Sequence, residues 1–275
     1  MSPVEDHESD LTRKQRREQA RAQRKALEAA EAARGAQRKR LIQLGGVAGV
    51  VVVVIVIVLL ATGGGSKKAV APKSAAANQA TADVTSLLRG IPQGGDTLGK
   101  PNAPLTLQYF GDLECPVCKD FTLGALPALI GKYVRAGKLK IEYRSLETAT
   151  REPETFRSQQ VAALAAGKQN LMWQYLELFY REQGEENSGY VTESYLQGLA
   201  SQIPGLNLTN WSSARNDPAF STQVTTDAQA ANQAGFNGTP SFLLGKTGGS
   251  LSEFKPASLT EPSSFEAAIE KQLKA

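Results

Sequence analysis

Two cysteines, Cys115 and Cys118, are the residues of this 275-residue chain best suited to covalent chemistry. They lie three positions apart in GDLECPVCKD, residues 111–120, and the chain contains no other cysteine. A pair at this spacing can be a redox couple, half of a zinc site or a local structural disulfide. The composition of the chain and the setting of the pair bear on which of these applies.

The composition argues against zinc and against several classes of catalytic site. A zinc site needs about four ligands, and the single histidine, His7, lies in a polar N-terminal tail. Zinc would therefore fit only if two chains shared the site, and a Ser-His-Asp or Cys-His arrangement cannot form elsewhere in the chain. A structural disulfide across two residues constrains the unfolded chain little. These considerations favour a redox pair.

The local pattern places the pair where a strand gives way to a helix. LTLQYF at 105–110 is typical of a strand that ends at Gly111, and a helical pattern follows the cysteines. At a helix N-terminus, free N–H groups and the helix dipole stabilise a thiolate, so Cys115 is the predicted nucleophile. Pro116 suits the first helical position. Cys118 is one turn further on, where it can close the Cys115–Cys118 disulfide and act as the resolving cysteine.

The remaining pattern predicts one α/β domain around this corner. The first helix runs to about residue 136, with a kink at Pro127, and ends at Gly137. A second strand at 139–146, a helical block and a short strand at 241–245 follow, and then a turn and a closing helix. The predicted helices of the block are 154–166, 170–183, 192–203 and 218–234. This order is thioredoxin-like. The apolar residues at helical spacing in the block favour a core role over a substrate groove: Trp173, Tyr175, Leu176, Phe179 and Tyr180.

An apolar segment precedes the domain. Residues 41–66 contain no charged side chain, which predicts a transmembrane helix over residues 41–62. The alternative is a cleaved signal peptide, but such a peptide has a short basic leader, and here about 40 residues precede the apolar run. We therefore expect an uncleaved anchor.

The charge distribution predicts the orientation of this anchor. Residues 1–40 contain 11 Lys/Arg and 7 Asp/Glu, so this basic tail is expected to be cytoplasmic and to act as a topology determinant. Small and polar residues predict a flexible linker over 63–86. Residues 87–275 would then be extracytoplasmic. Residues 83–275 contain 17 Lys/Arg against 20 Asp/Glu, which argues against a nucleic-acid partner for the domain.

Several motifs together resemble a known family. GDLECPVCKDF after an apolar strand, followed about 125 residues later by GTPSFLLG, is similar to the DsbA-like thiol:disulfide oxidoreductases, particularly their membrane-anchored bacterial members. The resemblance covers residues 87–275 and implies a thioredoxin-like fold with a helical insertion. It also implies the introduction of disulfides into secreted or envelope proteins without a cofactor. Reoxidation would require a membrane partner of the DsbB or vitamin K epoxide reductase type.

The resemblance also has implications for the site. It implies that the Thr239–Pro240 bond is cis and packs beside the disulfide, and that Asp112 and Glu114 flank the site and tune proton transfer. Solvated loop charges are the alternative for those two acids. Strongly oxidising members of the family often carry His between the cysteines, where this chain has Val117, which cannot donate a hydrogen bond. We therefore expect the pKa of Cys115 to lie above the value of about 3.5 in DsbA and below about 8.5 for free cysteine.

Two other functions stay open at this point. A disulfide reductase or isomerase would have the same fold with the opposite electron flow. A membrane-tethered binding module would have a CPVC disulfide that is structural and redox-inert.

Overall fold

The computed structural model describes residues 74–274. The predicted tail at 1–40, the predicted transmembrane helix at 41–62 and the first part of the predicted linker lie outside the described residues. Within residues 74–274, no helix combines the length and the apolar character needed to cross a membrane.

A six-stranded mixed sheet lies at the centre of the domain, in the order β1-β2-β4-β3-β5-β6. The strands, in chain order, are Gln93–Gly94 (β1), Thr97–Leu98 (β2), Leu105–Gly111 (β3), Leu139–Ser145 (β4), Ser241–Lys246 (β5) and Leu251–Glu253 (β6). Strands β3 and β4 are parallel, from the pair Leu105–Leu139 to the pair Gly111–Ser145. The other neighbours, including β3 and β5, are antiparallel.

The central strands explain where the motif lies. Six of the seven residues of β3 are buried, as expected for a central strand with both faces covered. In β4, buried Leu139, Ile141 and Tyr143 alternate with partly exposed polar residues, which confirms the predicted strand. Because β3 ends at Gly111, the chain leaves the middle of the sheet directly before the cysteines.

Helices surround the sheet. They are Ala75–Leu88 (α1), Pro116–Leu123 (α2), Leu126–Leu129 (α3), Pro153–Gly167 (α4), Met172–Glu182 (α5), Glu193–Gln202 (α6), Leu208–Ala214 (α7), Pro218–Gln233 (α8) and Ser263–Lys274 (α9). The predicted helix after the cysteines is interrupted at Gly124, and Pro127 lies in the first turn of the short α3. One π-helical turn, Ile130–Val134, follows. Helices α4 to α8 form the predicted helical insertion between β4 and β5. Helix α7 and the β1–β2 hairpin were not predicted from the sequence.

Helix α1 corrects the predicted linker. Composition favoured a flexible segment over 63–86, whereas residues 75–86 belong to a helix. The Ser74 hydroxyl accepts a hydrogen bond from the Ala77 N–H at 3.1 Å and caps the helix. The helix buries a stripe of small and medium apolar residues, Ala77, Ala80, Val84 and Leu88. Their spacing is helical, but the alanines make the stripe resemble linker composition.

Candidate active site

Cys115 and Cys118 lie at the corner between β3 and α2. Cys115 is the N-cap residue of α2, and Pro116 occupies the first turn. The Cys118 N–H donates a hydrogen bond to Cys115 Sγ at 3.4 Å. Cys115 is 4% exposed and Cys118 is fully buried, and both are free thiols. A molecule arriving from solvent therefore meets Cys115 first, as expected for the nucleophile.

Thr239, in the loop before β5, lies beside Cys115. The Thr239–Pro240 peptide bond is cis, which confirms the expectation from the resemblance. The Cys115 thiol donates to the Thr239 carbonyl oxygen at 3.5 Å. The structure thus brings together two segments 124 residues apart in the chain. A cavity of about 260 Å³ opens beside Pro240, and its lining includes Phe242, Phe254 and Leu259.

The two sulfurs have opposite acidities. Hydrogen bonds lower the pKa of Cys115 to about 6, although burial of its side chain acts to raise it. The largest lowering effect comes from the Cys118 side chain. Smaller ones come from the Thr239 side chain and from the N–H groups of Cys118 and Val117. This value lies between the limits expected for a Pro-Val dipeptide. Burial raises the pKa of Cys118 well above its ordinary value. At neutral pH the reduced pair therefore carries one proton, on Cys118, and Cys115 is a thiolate.

This acidity predicts a pH dependence of stability for the reduced protein. The pKa of Cys115 falls from 9.0 to about 6 on folding, so between these values the unfolded chain binds more protons and stability rises with pH. The contribution is full above pH 9, is on the order of 1 kcal/mol at pH 7 and is lost as pH falls through 6. We expect the melting temperature of the reduced protein, minus that of the oxidised protein, to increase from pH 5 to pH 8. Thermal unfolding of both forms checks this, and a constant difference would contradict it.

Val117 offers a second test of the same acidity. Its side chain is 42% exposed, so a histidine there could place a donor or a positive charge near the Cys115 thiolate without disturbing the core. We expect Val117→His to lower the pKa of Cys115 by about one unit. Thiolate absorbance as a function of pH measures this. Val117→Ala is the matched control and should leave the pKa near 6; an unchanged value in Val117→His would refute the effect.

Asp112 is buried and anchors a neighbouring loop. One carboxylate oxygen accepts hydrogen bonds from the three backbone N–H groups of residues 148–150, at 3.1, 2.9 and 2.9 Å. The other accepts from the Glu114 N–H, the Thr150 hydroxyl and the Gln159 amide. Because Asp112 is 0% exposed, the alternative of a solvated loop charge is wrong for this residue. A role in proton transfer stays a prediction.

The loop at residues 148–150, which Asp112 anchors, contacts Thr239. The Thr148 hydroxyl is hydrogen-bonded to the Thr239 hydroxyl, and Thr239 is itself a partner of Cys115. Asp112 therefore positions the Thr239 side of the site through residues 148–150. This connection could not be deduced from the sequence, since the loop carries no recognisable motif.

Glu114 is also buried rather than solvated. It is 2% exposed, and burial raises the pKa of its carboxyl group. The Asn187 N–H donates to its carboxylate at 3.2 Å. Asn187 also donates through its side chain to the Ala149 carbonyl and accepts from the Arg151 N–H. The helical insertion thus contributes a residue that the sequence analysis missed.

Gln183, at the end of α5, is a second missed residue. Its amide donates to the carbonyl oxygens of Leu113 and Cys115, at 2.7 and 3.2 Å. These bonds fix the backbone immediately before α2. The predicted core residues of α5, which include Trp173, Phe179 and Tyr180, are all buried, so the interpretation as core is confirmed. Within residues 74–274, no cluster of three or more His, Cys, Asp or Glu side chains could hold a metal ion.

Comparison with known proteins shows the family to which this chain belongs. A family model described as Thioredoxin matches residues 93–270. This chain belongs to the thioredoxin family. The match includes both cysteines and the Thr239–Pro240 bond, and it begins after the end of α1.

Individual relatives of this thioredoxin-family chain are distant. The chain is 22% identical over 181 residues to the probable disulfide bond formation protein D of Bacillus anthracis, covering 65% of this chain and 78% of the relative. Its fold is similar to that of BdbD from Bacillus subtilis, with a TM-score of 0.56, 22% identity and coverage of 68% and 97%. Wolbachia pipientis alpha-DsbA1 is similar with a TM-score of 0.53, 19% identity and coverage of 68% and 92%. The resemblance to DsbA-like proteins is thus confirmed.

Proposed function

We propose that this protein is a thiol:disulfide oxidoreductase that introduces disulfides through the Cys115–Cys118 pair. The observation that carries the proposal is the unequal acidity of the two sulfurs, with the pKa of Cys115 lowered to about 6 and that of buried Cys118 raised. A stable thiolate on Cys115 makes it a good leaving group. The name of the Bacillus anthracis relative, a probable disulfide bond formation protein, supports the same activity.

The proposed oxidation proceeds in two exchanges. A substrate thiolate attacks Cys115 Sγ of the Cys115–Cys118 disulfide, the bond between the cysteines breaks, and Cys118 leaves with the electron pair. A second substrate thiolate then attacks the substrate sulfur of the mixed disulfide and expels Cys115 as a thiolate. The substrate loses two protons and two electrons; Cys118 takes up one proton and the other goes to solvent.

The substrate is proposed to bind as an extended chain beside Thr239. An extended segment can pair with a free strand-like backbone there, while the cavity beside Pro240, with Phe254 and Leu259 in its wall, receives an apolar side chain. Such recognition relies on backbone and general apolar character, so it suits many unfolded or reduced secreted proteins.

We further propose that the protein is anchored in the cell membrane by residues 41–62, with residues 1–40 in the cytoplasm and the thioredoxin-family domain outside. The apolar run and the basic tail support this arrangement. A membrane reoxidant of the DsbB or vitamin K epoxide reductase type would then accept the electrons. Protease accessibility in intact cells tests the topology: only the domain should be cleaved from outside.

Refolding of reduced ribonuclease tests the activity. The oxidised full chain should restore ribonuclease activity, and Cys115→Ser should not. Failure of the unaltered protein to accelerate refolding would contradict the proposal. Refolding by Cys115→Ser at the rate of the unaltered protein would also contradict it, because the activity would then not depend on this pair.

A reductase or isomerase is the second candidate, and Val117 favours it. Valine offers the Cys115 thiolate no additional donor, and a less stabilised reduced form makes a less oxidising disulfide. The redox state in cells separates the two directions. Alkylation of cell extracts followed by a gel shift should find Cys115 and Cys118 mostly oxidised if the protein is an oxidase; a mostly reduced pair would contradict the oxidase direction.

A further inference from the structure

Helix α1 packs on α5 and α6 with little apolar bulk. Its buried side chains are Ala77, Ala80, Val84 and Leu88. An alanine methyl group contributes much less on burial than a large apolar side chain does. The Arg135 guanidinium fixes the last turn of α1 through the carbonyl oxygens of Leu87 and Arg89. The earlier turns therefore depend on the polar side chains that lie between these helices.

Polar side chains link these earlier turns of α1 to α5 and α6. The Arg181 guanidinium of α5 lies 4.0 Å from the Asp83 carboxylate of α1. The Thr81 hydroxyl of α1 donates to the Gln202 side-chain oxygen of α6 at 3.4 Å. The Gln202 amide in turn donates to the Glu182 carboxylate of α5 at 3.1 Å. Both links to α1 are long, so they hold the helix only weakly.

Glu177 lies on the side of α5 that α1 covers. Gln174, Glu177 and Arg181 follow one another at spacings of three and four residues, which places them on one side of the helix. At one end of this row, the Gln93 amide donates to the Gln174 side-chain oxygen at 2.9 Å, just after the end of α1. At the other end, Arg181 faces Asp83 of α1. Glu177 lies between these two contacts and is fully buried.

The buried carboxyl group of Glu177 is incompletely paired. Its Oε2 accepts a hydrogen bond from the Arg181 guanidinium at 3.4 Å. Among residues 74–274, no group hydrogen-bonds to its Oε1, and the same is true of Arg181 Nε and Glu182 Oε1. A buried carboxylate with one long bond is unfavourable, whereas a proton on Oε1 removes the charge. The contact between α1 and α5 is therefore expected to respond to the protonation of Glu177.

The charged groups around this contact come from three helices. Arg181 and Glu182 belong to α5 itself, and Asp83 comes from α1. From α2, the Lys119 ammonium donates to the Gln183 carbonyl oxygen at the end of α5. The buried side chains of α4 and α6, which also pack on α5, are uncharged. Arg181 is thus the cation in direct contact with Glu177.

We propose that α1 is a detachable clasp, which docks firmly on α5 when the buried Glu177 carboxyl group is protonated and loosens when that group ionises. The inference goes beyond the proposed disulfide exchange and does not depend on it. The chain that precedes residue 74 enters the domain through α1. The clasp therefore determines whether the 14 residues of α1 belong to the domain or to the connection before it.

The direction of the pH effect follows from the acidity of Glu177 in the two states of the clasp. In the docked state, burial raises the pKa of Glu177 to about 7, although Arg181 acts to lower it. When α1 is released, water reaches the carboxyl group and its pKa returns toward the ordinary value of 4.5. Between these values the docked state binds more protons. Docking is therefore strongest below pH 4.5 and weakens as the pH rises to 7.

Hydrogen exchange of the full chain, measured by mass spectrometry at several pH values, follows the clasp directly. The oxidised protein is used, because Cys115 does not titrate in a disulfide. Peptides from α1 report its release, and peptides from α9 report opening of the rest of the domain. After correction for the intrinsic pH dependence of exchange, the protection of α1 should fall about ten- to hundredfold from pH 5 to pH 8. The protection of α9 should not follow this fall.

Two variants assign the effect to one carboxyl group. Glu177→Gln keeps the shape of the side chain and removes its charge. In this variant, α1 should be as protected at pH 8 as it is at pH 5, because no buried charge forms. Glu154→Gln is the matched control. The Glu154 side chain, on α4, is 84% exposed, so this variant should show the same fall in protection as the unaltered protein.

Three results would overturn the proposal. The first is a constant protection of α1 between pH 5 and pH 8 in the unaltered protein. The second is a fall in protection that persists in Glu177→Gln. The third is an equal fall for α1 and α9, since the whole domain would then open and no clasp would be released. The first and third are read from the unaltered protein, so they decide even if a variant does not fold.

Discussion

Replacing Cys118 with alanine is expected to convert the protein into a trap for its substrates. The Cys115 thiolate, which lies at the surface end of the pair, would still attack a substrate disulfide and form a mixed disulfide. No second sulfur would follow to break that bond. Turnover should be abolished, and covalent complexes through Cys115 should accumulate on non-reducing gels and disappear with reductant. Mass spectrometry of the linked peptides would locate the bond.

Cys115→Ala is the control for this experiment, and a titration of Cys118→Ala accompanies it. Cys115→Ala should trap nothing, because the remaining Cys118 is fully buried. In Cys118→Ala, the pKa of Cys115 should rise above 6, since the Cys118 side chain is the largest cause of its low value. Equal trapping by the two single variants would contradict the assignment of Cys115 as the nucleophile.

Replacing Asp112 with asparagine is expected to destabilise the domain by about 3–5 kcal/mol. The carboxylate accepts three hydrogen bonds on each oxygen. An asparagine can present an acceptor to only one of these two sets, so its amide N–H₂ group would face donors on the other side. The buried donors left without an acceptor would carry the cost of desolvation. Denaturant unfolding of the reduced protein measures the change.

The same substitution should alter the acidity of Cys115. Residues 148–150 hold Thr239 through the Thr148 hydroxyl, and the Thr239 side chain helps to lower the pKa of Cys115. We expect that pKa to rise in Asp112→Asn. Asp120→Asn on α2 is the matched control, because Asp120 is exposed and its loss of charge should leave the free energy of unfolding nearly unchanged. Equal stability of the two variants would contradict the anchoring role of Asp112.

The sequence was most informative where the pattern is local. The strand–cysteine–proline succession predicted β3, the start of α2 and the order of the two sulfurs, because helix capping and strand burial depend on neighbouring residues. The second motif could be connected to the first only through the resemblance. Nothing in GTPSFLLG itself predicts contact with Cys115 across 124 positions.

Long-range polar contacts could not be predicted. Asp112 was expected to flank the site, but its partners at 148–150 and Gln159 are brought to it by the fold. Gln183 and Asn187 lie beyond helix α5 and reach the site because the helical insertion packs over the corner between β3 and α2. Tyr109 looks like an ordinary apolar residue of a strand. Its hydroxyl finds a partner only because the fold brings the Tyr180 hydroxyl to 3.0 Å from it.

Helix α1 could not be predicted for a different reason, which is its amino-acid composition. Ala, Asn, Gln and Thr are common in linkers, and no large apolar residue precedes Val84 in this helix. Its stability comes from packing against the rest of the domain, together with two hydrogen bonds of 2.8 Å from the Arg135 guanidinium to the carbonyl oxygens of Leu87 and Arg89. Composition alone could not distinguish such a helix from a flexible segment.

The central claim is that Cys115 and Cys118 pass a disulfide to a substrate through a bond on Cys115. In the most direct measurement, the oxidised full chain is mixed with a reduced peptide that contains two cysteines. The reaction is quenched with acid at short times, and the masses of the species are determined by mass spectrometry. We predict a transient adduct mapped to Cys115, followed by an oxidised peptide and a protein with two free thiols. An adduct mapped to Cys118, or a peptide that stays reduced while the protein stays oxidised, would contradict the account.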